Sequence, residues 1–175
     1  DAEKIGDVGV NVTTAEDMSV LLNGLKLDKY PLMIYAGAGA KNIIALTEAA
    51  LKGAGKDLQG VKGVIGADPI GELVVNGKTS TSLSALFDEM AETIKYTRAH
   101  APLIRPVYVR SDCFTDGGAN AVQEVAYTFA TAVEYIREMQ KRGIAVKDVA
   151  ASLYFAFNQG ANFFMEIAKL RALRQ

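Results

Sequence analysis

Four short apolar runs, at residues 31–38, 61–68, 105–111 and 152–157, constrain the fold of this chain more than any other feature. None alternates polar with apolar residues, so each is expected to be a strand buried on both faces. The stretches between them carry the helical period instead. Within residues 81–98, Leu83, Leu86, Phe87, Met90 and Ile94 recur three and four apart. Within 119–142, Val122, Val125, Phe129, Val133, Ile136 and Met139 do the same, and Gly143 follows as a stop. Thr13 or Thr14 caps an expected helix running to Asn23, with Glu16 and Asp17 at its positive end. Residues 41–53 form another, and a last helix from Ala161 presents Phe164, Ile167, Leu170 and Leu173. Strict alternation of strand and helix predicts a parallel sheet with right-handed crossovers.

No Pro- or Ser-rich linker and no charge block divides residues 1–175, so one domain is expected. The chain opens on a helix with no strand before it and closes inside an amphipathic helix without a glycine or proline stop. Both features predict a portion of something larger. An eight-unit (β/α) barrel of the TIM type takes about 250 residues, and four strands are visible here. The alternative is a complete open sheet of four or five strands, and composition leaves the two readings equal. An incomplete barrel has two unpaired strand edges that invite another chain, including a second copy.

With a net charge of −1 and interspersed signs, the chain lacks the basic patch that nucleic acid or an anionic membrane requires. Its longest apolar runs fall far short of the roughly 20 residues that span a bilayer. The opening from Asp1 to Asp7 is charged, unlike a signal peptide. A single cysteine, Cys113, excludes an internal disulfide framework and a four-cysteine zinc site. A reducing compartment, the cytoplasm, is therefore expected.

In a parallel α/β fold, chemistry collects where strands end. Those ends read Gly37-Ala38-Gly39-Ala40, Gly66-Ala67-Asp68-Pro69, Ser111-Asp112-Cys113-Phe114 and Asn158-Gln159-Gly160-Ala161-Asn162. They offer carboxylates, amides and a thiol, but no histidine or arginine, and no lysine except Lys41. A phosphate loop needs Ser or Thr after its lysine, whereas Asn42 follows Lys41, so the glycines are expected to serve a tight turn. His100 precedes the strand whose far end carries Cys113, which puts the two roughly 25 Å apart at about 3.3 Å per residue. A Cys–His pair is excluded, and Cys113 is expected to be a small buried residue. His100 is expected in a solvated turn. Asp68, Asp112 and Asp116 suit acid–base or metal chemistry and equally suit capping, with Asp116 the expected cap of the helix after Gly117-Gly118.

The stretch Asn162-Phe163-Phe164-Met165-Glu166-Ile167-Ala168-Lys169-Leu170-Arg171-Ala172, preceded by a strand and the turn from Phe157 to Gly160, resembles the signature of the methylmalonyl-CoA mutase family. Leu27-Asp28-Lys29, Gly63-Val64-Ile65 with Asp68, Asp116-Gly117-Gly118-Ala119 and Glu124-Val125-Ala126-Tyr127-Thr128 match it in order and spacing, from about Gly9 to Arg174. The resemblance implies an adenosylcobalamin-dependent carbon-skeleton isomerase whose coenzyme A ester threads an eight-stranded barrel, with this chain supplying four of the strands.

The departures from that family pattern carry as much information. Where catalytic chains of the family place a glutamine, this sequence has Gly66; where they place the arginine that meets the substrate carboxylate, it has Asn76. Their adjacent tyrosine and histidine are replaced by Asp112 and Cys113. A lost charge-assisted hydrogen bond is worth about 1.5–3 kcal/mol and a lost general acid about 10²–10⁴ in rate. Asp112 is further expected to repel an anionic acyl group. Small subunits of heterodimeric mutases in the family show this kind of loss. The resemblance thus implies a non-catalytic small-subunit portion, with no catalytic, cofactor or metal residue of its own. Its partner would be a catalytic large subunit that holds the adenosylcobalamin. The family's Asp-x-His-x-x-Gly cobalt motif is absent, since His100 stands in Ala99-His100-Ala101-Pro102. The alternative is a catalytic subunit for a different acyl-CoA, because a neutral acyl group would not need an arginine at position 76.

Overall fold

The computed structural model describes residues 9–175, so the charged opening from Asp1 to Asp7 lies outside the described residues. Four strands, β1 Leu32–Tyr35, β2 Gly63–Ala67, β3 Ile104–Arg110 and β4 Leu153–Ala156, form one all-parallel sheet in sequential order. The expected alternation holds, with α1 Ala15–Leu22, α2 Lys41–Gly53, α3 Pro69–Asn76, α4 Leu83–His100, α5 Asp112–Thr115, α6 Ala121–Lys141, α7 Val146–Ser152 and α8 Phe163–Ala172 around the strands. Among the described residues, no helix is long and apolar enough to cross a membrane.

The register sorts the strand side chains into two rows. Pairs such as Ile34 with Ile65, Ala67 with Val107 and Val109 with Phe155 form one row. This row packs against Ile44, Leu51 and Met18 in one core, and against Phe87, Ile94, Tyr135, Met139 and Val149 in the other. The second row holds Tyr35 beside Gly66, Tyr108 beside Tyr154 and Arg110 beside Ala156. Every strand residue in the two cores belongs to the first row. The helices therefore pack on one face of the sheet. The expectation of strands buried on both faces holds for β2, where residues 64 to 67 are all buried, and is corrected at β1, where Met33 and Tyr35 are 56% and 38% exposed. Their lack of polar alternation reflects a second row that is aromatic and apolar, not one covered by helices.

Three short helices escaped the periodicity argument. α3 is set up by chemistry at its ends. Asp68 caps it through Gly71 N–H, Pro69 occupies its first turn, and Gly77 closes it with φ +67°. α5 and α7, at four and seven residues, are too short for a period to emerge. One expected cap is also corrected. Asn120, not Asp116, caps α6, accepting from the N–H groups of Val122 and Gln123 while the Gln123 side chain returns to Asn120 N–H. Asp116 instead ends α5. α1 has the expected cap at Thr14, reciprocated by Asp17.

Candidate functional site at the strand ends

Asp68, at the end of β2, is fully buried and surrounded by donors. Its Oδ1 accepts from Gly71 N–H at 3.0 Å and from the Tyr135 hydroxyl, and its Oδ2 accepts from Arg110 N–H at 3.1 Å. The Tyr135 hydroxyl in turn accepts from Ile70 N–H at 2.9 Å. Burial raises the Asp68 pKa and is the largest influence, with the hydrogen bonds opposing it. These bonds tie the β2–α3 turn to the end of β3 and to α6, a joining role that suits structure.

Arg110 overturns the expectation that the strand ends lack arginine. As the last residue of β3 it belongs to the second row, so its guanidinium stands at the mouth of the sheet. Its Nε donates to Asp112 Oδ1 at 2.7 Å and its Nη2 to Asp112 Oδ2, a bidentate fork. Nη1 lies 3.7 Å from Glu72 Oε1, and the guanidinium carbon sits 4.8 Å from the centre of the Tyr35 ring. The Arg110 hydrogen bonds are the main reason that the Asp112 pKa is lowered. The expected repulsion by Asp112 is corrected accordingly, because its charge is matched by an adjacent cation. Residue 110 was counted as strand interior, and the alternation that points it into the mouth was the available signal.

Asn76 lies one helical turn beyond Glu72 and donates to Glu72 Oε2 at 2.9 Å, while Tyr35 donates to Glu72 Oε1 at 2.6 Å. At Gly66 the missing side chain has a neighbour that explains it. A Cβ there would stand 2.7 Å from the Tyr108 Cβ and 3.0 Å from Tyr108 N. Tyr108 in turn lies between Tyr35 and Tyr154, with ring centroids 5.4 and 5.6 Å away, so aromatic rings line the uncovered face. Cys113 is buried, its Sγ 3.5 Å from Arg110 O, and burial pushes its thiol up to about 11. His100 ends α4 at the opposite end of β3 and is solvated as expected, although as a helix terminus with its ring tilted against Tyr96, the centroids 4.6 Å apart.

The glycine turn at residues 37–41 is closed to phosphate. Gly37 takes φ +71°, and a Cβ at Gly39 would meet the Glu89 carboxylate at 2.5 Å. That carboxylate stands at the start of α2, where a phosphate would sit, and Lys41 is drawn 3.0 Å from Glu92.

A second buried network went unread in the sequence. Lys169 of α8 reaches Glu124 of α6 at 2.8 Å, with the two side chains 2% and 3% exposed. Nζ also donates to Asn158 O at 2.6 Å and lies 2.6 Å from Glu166. Glu124 Oε1 accepts from the Ser111 hydroxyl at 2.6 Å and from Asn158 N–H at 3.0 Å. The ends of β3 and β4 are thereby bolted to α6 and α8. Lys169 falls between apolar positions of α8, and that placement was the only sequence sign of its burial.

These positions lie in a chain with clear relatives. The methylmalonyl-CoA mutase family model matches residues 1–175. A methylmalonyl-CoA mutase of Cereibacter sphaeroides is 34% identical over 97% of the chain and 24% of that protein. A methylmalonyl-CoA mutase small subunit of Streptomyces virginiae is 35% identical over 98% of the chain and 27% of that protein. A 2-hydroxyisobutanoyl-CoA mutase large subunit of Aquincola tertiaricarbonis is 27% identical over 98% of the chain and 31% of that protein. The chain thus spans about a quarter to a third of the length of these relatives. The matched stretch takes in Gly66, Asn76, Asp112 and Cys113 together with both buried networks, and a match of that extent to a family model makes this chain a member of the methylmalonyl-CoA mutase family.

Proposed function

We propose that residues 1–175 are one domain-sized portion of a TIM-type (β/α) barrel. In this reading they belong to the non-catalytic small subunit of an adenosylcobalamin-dependent methylmalonyl-CoA mutase. The holoenzyme interconverts methylmalonyl-CoA and succinyl-CoA, and this chain steadies the catalytic large subunit. Sequential parallel strands with helices on one face support the barrel portion, since a doubly wound sheet carries helices on both. The small-subunit relative supports the heterodimer.

One observation carries the non-catalytic reading: the polar groups at the mouth are satisfied by one another. Arg110 is forked onto Asp112, Tyr35 and Asn76 are spent on Glu72, and Asp68 is enclosed by three donors. Gly66, Asn76, Asp112 and Cys113 thus stand as degenerate family positions, with no proton donor near its working pH among them.

Adenosylcobalamin supplies radical chemistry to the assembled enzyme, and we assign it to the catalytic subunit. The described residues do not fit cobalt ligation, because the single imidazole lies at the far end of β3 from the mouth. A reducing compartment, the cytoplasm, suits the buried free thiol of Cys113.

A catalytic subunit for a different acyl-CoA is the second reading, favoured by the presence of Arg110 at the mouth. The full-length chain, expressed alone and with its catalytic partner, separates the two. Turnover of methylmalonyl-CoA only in the mixture, unchanged by Asp112→Ala and Cys113→Ala, is the expected result. Turnover by the lone chain with adenosylcobalamin would defeat the small-subunit reading.

A further inference from the structure

We infer that Asp112 is a built-in occupant of a carboxylate seat on Arg110, so that the mouth carries an anion site blocked by the protein's own side chain. The inference rests on the reading of the strand ends as unused and gives the reason they are so. Three features of Arg110 mark a seat. Its backbone N–H is fixed by buried Asp68 at 3.1 Å, so the start of the side chain is held. Gly71 leaves the side chain room to pass, since a Cβ there would come within 3.2 Å of the Arg110 Cγ. The guanidinium then lies against the Tyr35 ring with its Nε/Nη2 edge facing Asp112.

That edge presents two parallel N–H donors, the geometry that a planar carboxylate matches and a lone hydroxyl does not. Asp112, two residues on, places both its oxygens there. The other charged neighbour, Glu72, approaches a different nitrogen at 3.7 Å and is shared with Tyr35 and Asn76, so it leaves the forked edge free. The arginine and aspartate side chains are 18% and 33% exposed, so a small ligand can reach the pair from the uncovered face. The ligand class is a small carboxylate, competing with Asp112 for one fork.

An internal competitor lowers apparent affinity by the fraction of time that it leaves the site open. If Asp112 closes the fork about nine-tenths of the time, its removal tightens carboxylate binding about tenfold. The test titrates the full-length protein with succinate, and with succinamide as an uncharged control, following the Arg110 Nε–H resonance. Wild type is expected to show no saturation where Asp112→Asn and Asp112→Ala both bind succinate and ignore succinamide. Adding Arg110→Met is expected to abolish that gain. Asp112→Asn keeps the side-chain shape and carries the test should Asp112→Ala fold poorly. Wild-type binding as tight as that of the variants, no gain in a folded variant, or a gain that survives Arg110→Met would each overturn the seat. Those results leave the assembly reading standing, because that reading is decided by turnover with and without the partner subunit.

Discussion

Replacing Lys169 with alanine strips the cation from the most deeply buried ion pair described and leaves the Glu124 carboxylate where solvent cannot reach it. Glu124 is 3% exposed at its side chain, so it cannot recover the lost partner from water. Ser111 and Asn158 N–H still donate to it, which satisfies one oxygen but neutralises no charge. Breaking a buried pair from one side costs about 3–5 kcal/mol. In a chain of this size each kcal/mol moves Tm by about 2–4 °C, so Lys169→Ala should unfold about 6–20 °C below wild type. The control is the neutral pair Lys169→Met with Glu124→Gln. It removes both charges while keeping volume, and it should recover most of the loss. Thermal unfolding of wild type, the single variants and the double variant closes the cycle. Amide exchange across α8 tells local detachment from global loss, since Lys169 is the one buried residue of that helix. A Lys169→Ala protein within about 2 °C of wild type, or a double variant no better than Lys169→Ala, would refute the reasoning. The Lys169 pKa is raised: burial, the largest influence, opposes the charge, but Glu124 and Glu166 together outweigh it. The stabilisation is therefore complete below the unfolded value of about 10.4 and is lost only as pH rises through the higher folded value.

Gly66→Ala should cost about 1–3 kcal/mol in urea unfolding, because its Cβ would press on the Tyr108 Cβ and backbone and on Val64 Cγ2; a neutral result would mean that these neighbours yield freely. Tyr135→Phe orphans Ile70 N–H and removes a donor from buried Asp68, for an expected loss of about 1–3 kcal/mol by the same measurement. Asp112, its pKa lowered chiefly by Arg110, stabilises the fold above its unfolded value of about 3.9 and loses that contribution as pH falls. Asp68, raised by burial, works in the opposite sense, gaining stability as it takes up a proton. The wild-type stability profile minus that of Asp112→Asn should therefore fall toward zero on acidification below about pH 4, and a flat difference would count against the pair. With its thiol pushed up to about 11, Cys113 should react with iodoacetamide at neutral pH about a hundredfold more slowly than a free thiol, and labelling at the free rate would show that burial does not protect it.

The fold was legible where a signal repeats along the chain. α4 buries Leu86, Phe87, Met90 and Ile94, so its packing follows from its apolar stripe. The stripe expected for α6 is corrected: Met139 is buried and Ile136 packs on the core, but Val122, Phe129 and Val133 are 74%, 40% and 43% exposed, and the buried face runs through Glu124, Thr128, Thr131, Ala132 and Tyr135. α3 was missed although Asp68-Pro69 and Gly77 mark both of its ends, because eight residues hold barely two turns of period. Burial on both faces was overstated at β1 for a related reason. An apolar strand is ambiguous between a face covered by helices and one lined by rings such as Tyr35, Tyr108 and Tyr154. The site was less legible than the fold. Asp68 could be placed at a strand end from the sequence, but Tyr135 meets it across 67 residues. Lys169 and Glu124 are 45 apart, and no local pattern pairs residues at such distances.

Taken one at a time, Gly66, Asn76 and Asp112 look unrelated, but their contacts make them a set. Gly66 is what allows Tyr108 to stand in the second row, and Tyr108 lies against Tyr35. Tyr35 gives its hydroxyl to Glu72 and its ring to Arg110. Asn76 holds the other oxygen of Glu72, and Asp112 closes the guanidinium. Changing one of these residues therefore disturbs its neighbours. A glutamine at position 66 would collide with Tyr108 before its amide reached anything. An arginine at position 76 would compete with Arg110 for Glu72, leaving two cations to share two carboxylates already in use. Residues in contact couple by about 0.5–3 kcal/mol, so substitutions across this cluster should be strongly non-additive. At this mouth Gly66, Asn76 and Asp112 each have a neighbour that fits them.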